Sequence, residues 1–438
     1  MIADALTPPL RRAVSPYTGV VRSLEECLHL PSEPPLFRVA SEVGRSRDLL
    51  GSPLDHVAGI GGAGSTRSAA AEAAVGEALE RYSLTYVAPD RLVAATADDL
   101  PEAVAPERFA LFSERQHADP GFPFRPFRGD IRVPWVDGWR IRDGAPVWLP
   151  AELVFLGETA IDGCERVGYA TSSGAACAET LETAIERGLC EVLERDAFMI
   201  AWANRLSLPR LEWADDERLA DIDRGTFAVT GLEYAAIDMS SFHGLPSFLG
   251  VVRARGLEVG ALGIGAGTGS TVERAWWKAL SEAFACRAAG VKLSLLRPEK
   301  RYGARGGGVV SFEDHIQYYA DPERAAAAAF LDASPRRVAA SSIPALEAET
   351  AGDRVRALCD RVCRAGSDAY AVDATSPDVR ELGLVVTKVV APALCSLDVP
   401  HHARFLGGRR LYEAATELGL RPSPLDEKDV NPDPHPFP

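Results

Sequence analysis

No stretch of this chain reaches the 18 or more apolar residues of a membrane span. Its first residues, MIADALTPPLRRA, lack the charged-then-apolar layout of a secretory signal. Cysteine is sparse: eight in 438 residues, at Cys27, Cys164, Cys177, Cys190, Cys286, Cys359, Cys363 and Cys395, with no CxxC pair. That excludes a disulfide scaffold, gives no zinc-ribbon spacing and reads as reduced thiols in a cytoplasmic protein. No Gly-Lys dipeptide occurs, hence no Walker-type phosphate loop. Histidine is scarce as well. His401-His402 is not at helical metal-ligand spacing, the others stand alone in the sequence, and no Ser/His/Asp or Cys/His constellation can be assembled. Basic charge is short: 47 Lys and Arg against 62 Asp and Glu, a net charge of −15. A protein that wraps nucleic acid needs a basic face, so that class is excluded, while a local basic pocket for one nucleotide is not.

What is present is an ordinary globular composition, 47% hydrophobic and 25% charged. Residues 1–50 read as an irregular, proline-rich lead-in, 51–430 as the main folded body and 431–438 as a proline-rich tail. Helical patterns cover 65–87, where Ser65 or Thr66 can cap an alanine-rich run, then 178–204, 271–290 and 350–365. Strand patterns cover 133–157, broken by Asp137-Gly138 and Asp143-Gly144, which both read as hairpin turns, and then 233–238, 247–253, 257–264, 369–374 and 384–392. Hairpins and helices without regular alternation predict an α+β fold.

Two of the helical patterns share a signature. Glu77-Ala-Leu-Glu80-Arg81 recurs as Glu191-Val-Leu-Glu194-Arg195. Positions i, i+3 and i+4 lie on one helix face, so each copy sets two carboxylates beside a guanidinium. On a solvated face this is a routine ion-pair pattern. Here each copy is flanked by Ala, Gly, Leu, Ile or Val, which places the carboxylates on largely buried helices. Buried carboxylates are costly unless paired or metal-bound. Four of them converging on a cavity suit Mg²⁺, a hard cation that takes carboxylate and phosphate oxygens. A third helix carries Glu282 between Arg274 and Arg287 and follows Gly265-Ala-Gly-Thr-Gly-Ser270. Gly59-Ile-Gly-Gly-Ala-Gly64 matches GxGxxG before a helix, yet no acidic residue closes a second strand as a dinucleotide fold requires. Close backbone approach to phosphate at a helix N-terminus is the physical use expected of these glycines.

From about residue 37 to the end, the ordered set of motifs resembles the YcaO superfamily, and within it the azoline-forming peptide cyclodehydratases of the SagD type. The carriers are Gly62-Ala-Gly64 before Glu77-Ala-Leu-Glu-Arg81, Ser172-Ser-Gly-Ala-Ala176, Glu191-Val-Leu-Glu-Arg-Asp-Ala-Phe198, Gly265-Ala-Gly267 before Glu282 and Arg287, Val372-Asp-Ala-Thr375, Leu406-Gly-Gly-Arg409, and the end Pro434-His-Pro-Phe-Pro438. The chain departs from the pattern at Ala63, where Lys is frequent, at Ala285, where Gln is frequent, and at Ala178, where Gly is usual.

The resemblance implies mixed and antiparallel sheets with the glutamate-bearing helices around a nucleotide cavity. It implies ATP and Mg²⁺ as cofactors, and cyclodehydration of Cys, Ser or Thr in a ribosomally made precursor peptide to thiazoline or oxazoline. Glu77, Glu80, Glu191, Glu194 and Glu282 become the metal and nucleotide set. Arg81, Arg195, Arg274 and Arg287 become candidates for phosphate or for pairing with those glutamates. The implied partners are the precursor peptide, an E1-like leader-binding protein and a flavin-dependent azoline dehydrogenase in the same pathway, with the chain itself a homodimer. Alternatives are thioamide or macroamidine formation, or a non-catalytic partner that binds nucleotide or peptide. The alternating Pro432, Pro434, Pro436 and Pro438 make a stiff end that can hold a base at a fixed place. Pro434, His435, Pro436 and Pro438 are therefore expected to belong to the catalytic site, with the terminal carboxylate or His435 as base or proton relay.

Overall fold

A computed structural model describes residues 2–28, 32–44, 60–157 and 159–438. Gly59, the first glycine of the GxGxxG match, lies outside the described residues. In chain order the main elements are β1 (Val21–Glu26), β2 (Phe37–Val43), β3 (Ile60–Gly64), α1 (Arg67–Thr85), β4 (Val93–Thr96), β5 (Arg132–Arg140), β6 (Pro146–Pro150) and β7 (Ala175–Ala178). There follow α2 (Leu181–Ala203), β8 (Arg210–Glu212), α3 (Glu217–Thr226), β9 (Glu233–Asp238), β10 (Ser247–Arg253), β11 (Leu262–Thr268) and α4 (Val272–Leu296). The chain closes with α5 (Phe312–Tyr319), β12 (Arg337–Ala339), α6 (Ala351–Arg364), β13 (Tyr370–Asp373), β14 (Val385–Val390) and α7 (Arg409–Glu417). The mixture is the expected α+β fold.

The chain forms two compact units rather than a single body. The first gathers residues 1–28, 36–192 and 349–394, the second 29–35, 193–348 and 395–438. The boundary falls inside α2, after Val192, so Glu191 belongs to the first unit and Glu194 to the second.

The first unit holds two sheets. One is β1-β2-β3, antiparallel throughout, with Val39 opposite Gly62. The lead-in expected to be irregular therefore supplies two of its three strands. Their short apolar patches do not alternate cleanly, and their pairing is legible only in three dimensions. The other sheet runs β4-β5-β13-β14-β7, with β6 paired to β5. Asp137-Gly138 is not a turn: β5 passes straight through it. A Cβ on Gly138 would stand 2.7 Å from the Ala371 carbonyl, so the glycine answers the close approach of β13. Only Asp143-Gly144 makes the hairpin, with Gly144 at φ +72.

The second unit holds a five-stranded sheet, β11-β10-β9-β8-β12, parallel only between β8 and β12. The strand expected over 257–264 forms later, at 262–268, because Gly256 and Gly260 take positive φ and turn the chain first. The two glycine-rich runs are strands rather than phosphate loops. In β3 and β11 the glycines let a helix lie directly on the strand: Ala70 of α1 covers Gly62 and Gly64, and Ala275, Ala279 and Ala283 of α4 cover Gly265 and Gly267. Thr66 and Thr271 start these helices, accepting the N–H groups of Ala69 and Arg274 at 3.1 and 3.3 Å.

Candidate active site: two carboxylate clusters

In the first unit, α1 carries Glu77, Glu80 and Arg81, α2 carries Glu191, and β14 carries Lys388. Arg81 donates to Glu77 at 3.2 Å and its Nε stands 3.8 Å from Glu80. Glu191 Oε2 accepts the Gly174 N–H at 3.0 Å. Lys388 is 4% exposed, and its ammonium donates to the carbonyl of Thr171 at 2.6 Å and to that of Ser173. Burial pushes the Glu80 carboxyl up to about 8. Arg81 opposes the rise, and the negative charges of Glu191 and Glu77 reinforce it against a smaller pull from Lys388. Burial likewise pulls the Lys388 ammonium down to about 8, against the fields of Glu191 and Glu80. Arg81 is held charged by Glu80, Glu77 and Glu191 despite its own burial. The cluster has more carboxylate than its two cations neutralise.

The second unit has its own cluster. Glu194 of α2 is fully buried and lies 3.4 Å from Arg195 Nη1. Lys278 of α4 donates to both Glu194 oxygens at 3.0 and 3.1 Å and stands 3.6 Å from Glu282, four residues on. Burial raises the Glu282 carboxyl, with Lys278 opposing and Glu194 reinforcing. Glu282 Oε2 accepts the Ala266 N–H at 3.3 Å. Next along α2, buried Asp196 accepts the Cys395 N–H at 2.9 Å and takes Arg410 through both carboxylate oxygens; Arg410 and His243, 3.0 Å away, keep its carboxyl low despite burial.

The structure thus brings Glu77, Glu80, Arg81 and Glu191 together in one unit, and Glu194, Arg195 and Glu282 in the other. Arg274 is exposed in the first turn of α4 and is not part of either cluster. Arg287 is 3% exposed, its Nε has no hydrogen-bond partner among the described residues, and the charge facing it is Glu33. Sequence reasoning missed both lysines. Lys278 carried a signal, four residues before Glu282 on one helix face. Lys388 carried a weaker one, a single cation inside the β-branched run Val385–Val390.

The tail packs within the second unit. Tyr319 donates to the Pro434 carbonyl at 2.6 Å and Trp202 Nε1 to that of Asp433 at 3.2 Å. Phe437 is buried, and the Arg195 guanidinium lies 4.0 Å above its ring centre. His435 is buried too, and both ring nitrogens are engaged. Nδ1 accepts the Phe437 N–H at 3.2 Å, so Nε2 donates to the Asp398 carbonyl at 2.7 Å. Burial drives its pKa well down, and His315, stacked at 4.0 Å, adds to that. His435 is therefore a neutral ring with both nitrogens hydrogen-bonded in the ligand-free chain. Pro434 and Pro436 are buried beside it, and Pro438 is partly buried.

The donor set fits a divalent cation. Each cluster, taken by itself, offers hard carboxylate oxygens, and burial raises one carboxyl in each, Glu80 and Glu282. Unsatisfied Arg287 Nε is a buried donor suited to phosphate.

Residues 61–395 match the model of the YcaO cyclodehydratase family, described as ATP- and Mg²⁺-binding, and the chain belongs to that family. It is 29% identical over 233 residues to an uncharacterized protein of Methanothermobacter thermautotrophicus, covering 52% of this chain and 56% of that one. Among solved structures it resembles a heterocyclase in complex with substrate and cofactor, with TM-score 0.79 and 24% identity over 98% of this chain and 57% of the other. It also resembles the YcaO protein of Methanopyrus kandleri bound with AMPPCP and Mg²⁺, with TM-score 0.59 and 19% identity over 85% of this chain and 86% of that one. The chain spans just over half the length of the curated relative and of the heterocyclase. Among the described residues, no helix is long and apolar enough to cross a membrane.

Proposed function

We propose that this chain is an ATP- and Mg²⁺-dependent peptide cyclodehydratase that forms azolines, acting on a ribosomally made precursor peptide with a leader-binding partner protein. The observation that carries the reading is the pair of carboxylate clusters on helices, in each of which burial raises one carboxyl, Glu80 in the first and Glu282 in the second. In this reading Glu77, Glu80, Glu191, Glu194 and Glu282 hold Mg²⁺, and Arg81, Arg195 and Arg287 face phosphate. Arg274, exposed in the first turn of α4, has no role in it.

A Cys, Ser or Thr side chain of the peptide loses its proton and adds to the carbonyl carbon before it. The bound nucleotide supplies the γ-phosphoryl group that turns the resulting oxyanion into a leaving group. Loss of phosphate and of the amide proton then closes the C=N bond, for a net loss of one water per ring. The residues contribute positioning and charge neutralisation rather than covalent chemistry. The tail enters the reading through Phe437, which covers Arg195, while Pro434, Pro436 and Pro438 keep the segment stiff and His435 anchors it.

The test is mass spectrometry of a precursor peptide incubated with the chain, its partner, ATP and Mg²⁺. Loss of one water per ring, dependent on ATP, supports the proposal. Exchange of oxygen for sulfur in the product would replace it with thioamide formation. ATP hydrolysis without any change in peptide mass would replace it with a nucleotide-binding partner role.

A further inference from the structure

We infer that Lys388 is a positioning residue whose buried ammonium clamps the turn Thr171–Gly174 through two main-chain carbonyls and so aims Glu191. The inference rests on the reading of Glu191 as a ligand of the metal and nucleotide. Its geometric half stands on the chain alone.

The β14–β7 ladder pairs Lys388 with Ala175 and goes no further, so residues 171–173 lie just past its end. The Ser172 carbonyl accepts the Ala175 N–H at 2.8 Å, whereas among the described residues no strand N–H donates to the carbonyls of Thr171 and Ser173. The Lys388 side chain takes the place of that missing strand, with Nζ donating to the carbonyls of both Thr171 and Ser173. Both acceptors are buried, and a buried carbonyl without a donor is costly. The same turn is fixed from two further sides. Val389 N–H donates to the Gly174 carbonyl at 2.8 Å. Gly188 of α2 passes so close that a Cβ on it would stand 2.6 Å from the Gly174 carbonyl. Gly174 itself sits at φ +84, and a Cβ there would reach to 2.8 Å from Val192 Cγ1. The turn is thus wedged between β14 and α2, and its last N–H donates to Glu191 Oε2 at 3.0 Å.

One side chain connects these parts. Without the ammonium, the carbonyls of Thr171 and Ser173 must turn to find other donors. The peptide plane that presents the Gly174 N–H turns with them, and Glu191 loses that donor to its Oε2. The charged groups facing Lys388 are Glu191, Glu80 and Arg81, so the same ammonium also offsets the two carboxylates. Main-chain carbonyls hold it in place, which makes it a permanent part of the wall rather than a cation that an incoming metal displaces.

The experiment compares Lys388→Met, which loses donors and charge, Lys388→Gln, which keeps a donor without charge, and Lys388→Arg, which keeps both. Val386→Ala, in the same strand and the same core, is the control for general loosening. Two quantities are read: amide hydrogen exchange of a 171–176 peptide in the ligand-free chain, and the Mg²⁺ concentration for half-maximal ATP turnover. Lys388→Met is expected to raise both by roughly tenfold, the scale of losing a group that orients a metal ligand, with kcat at saturating Mg²⁺ changed less. Lys388→Arg should return both toward the wild-type values, Lys388→Gln should fall between, and Val386→Ala should move neither. Where Lys388→Met does not accumulate as folded protein, Lys388→Gln decides. Wild-type exchange over 171–176 in the neutral variants, or an equal shift in Val386→Ala, overturns the inference. If the unmodified chain turns over no ATP at any Mg²⁺ concentration, the metal reading fails by itself, and the exchange measurement still decides whether Lys388 clamps the turn.

Discussion

The two carboxylate clusters start from the same five-residue signature and are neutralised in opposite ways. In the first unit the lysine is the buried partner: Lys388 is 4% exposed and tied to carbonyls, and the Glu80 carboxyl is left at about 8. In the second unit the carboxylate is the buried partner: Glu194 is inaccessible, and its lysine, Lys278, is 40% exposed and reaches both oxygens directly. A cation that water reaches can swing away when a metal arrives, whereas one bonded to the main chain cannot. The same sequence motif therefore serves a cluster with a fixed counter-charge and a cluster with an exchangeable one.

The largest expected effect tests whether both clusters serve the nucleotide at all. The double variant Glu191→Gln/Glu194→Gln keeps side-chain size and removes one carboxylate from each cluster. ATP turnover should fall by about a thousandfold or more, the scale of removing transition-state electrostatics, while circular dichroism stays native. Near-normal hydrolysis in the folded variant would end the assignment. The next test separates the clusters by stability. Glu80 at about 8 is largely protonated at neutral pH, so Glu80→Gln should leave the melting temperature nearly unchanged. Glu194→Gln strips a buried partner from Arg195 and Lys278 and should cost about 3 kcal/mol, the low end for a broken buried pair because Lys278 can return to water. Equal melting temperatures for the two variants would erase the contrast.

A carboxyl outside both clusters calibrates the effect of burial without a lysine. Burial pushes Glu152 up to about 7, although it accepts the Val167 N–H at 2.6 Å. A raised carboxyl contributes stability that is complete below its unfolded value of 4.5 and is lost as pH rises through about 7. Glu152→Gln should therefore match the unmodified chain at pH 5 and exceed it at pH 8 by about 1–2 kcal/mol, measured by urea unfolding at both pH values. A gain at pH 5 and none at pH 8 would reverse the sign and refute the account. The smallest effect probes the cover of the second cluster. Phe437→Leu keeps an apolar group but removes the ring beneath Arg195, and should cost about 1 kcal/mol or somewhat more. A matching loss in an Arg195→Lys background would show that ring packing, not the guanidinium contact, carries the cost.

The helices that carry the clusters were legible because they repeat one pattern over many residues. The expected spans 65–87 and 178–204 became 67–85 and 181–203, and both ExxER sets fell on them. Only the far end of the third helix was missed, at Leu296 rather than 290. What escaped depends on partners distant in sequence. Gly138 looks like a turn residue until β13 lies across it. The glycines of β3 and β11 look like a phosphate loop until alanines of α1 and α4 cover them. Lys388 looks like one cation in a β-branched run until the Thr171 and Ser173 carbonyls are found at its tip. His435 stands alone in the sequence, and only the fold stacks it on His315 and bonds it to the Asp398 carbonyl.

The glycine–alanine seams under α1 and α4 have a consequence for how this protein can change. Each helix rests on its strand backbone to backbone, with no side chain between to absorb error. A methyl group on Gly265 would collide with the main chain at Ala283 and with the Cβ of Glu282, so the strand and the carboxylate share one tolerance. Residues with no chemistry of their own thus fix the helix height, and through it the place of every oxygen the helix carries. A substitution at a charged group facing a cluster changes one side chain, whereas a substitution in the seam below moves the helix and every carboxylate on it.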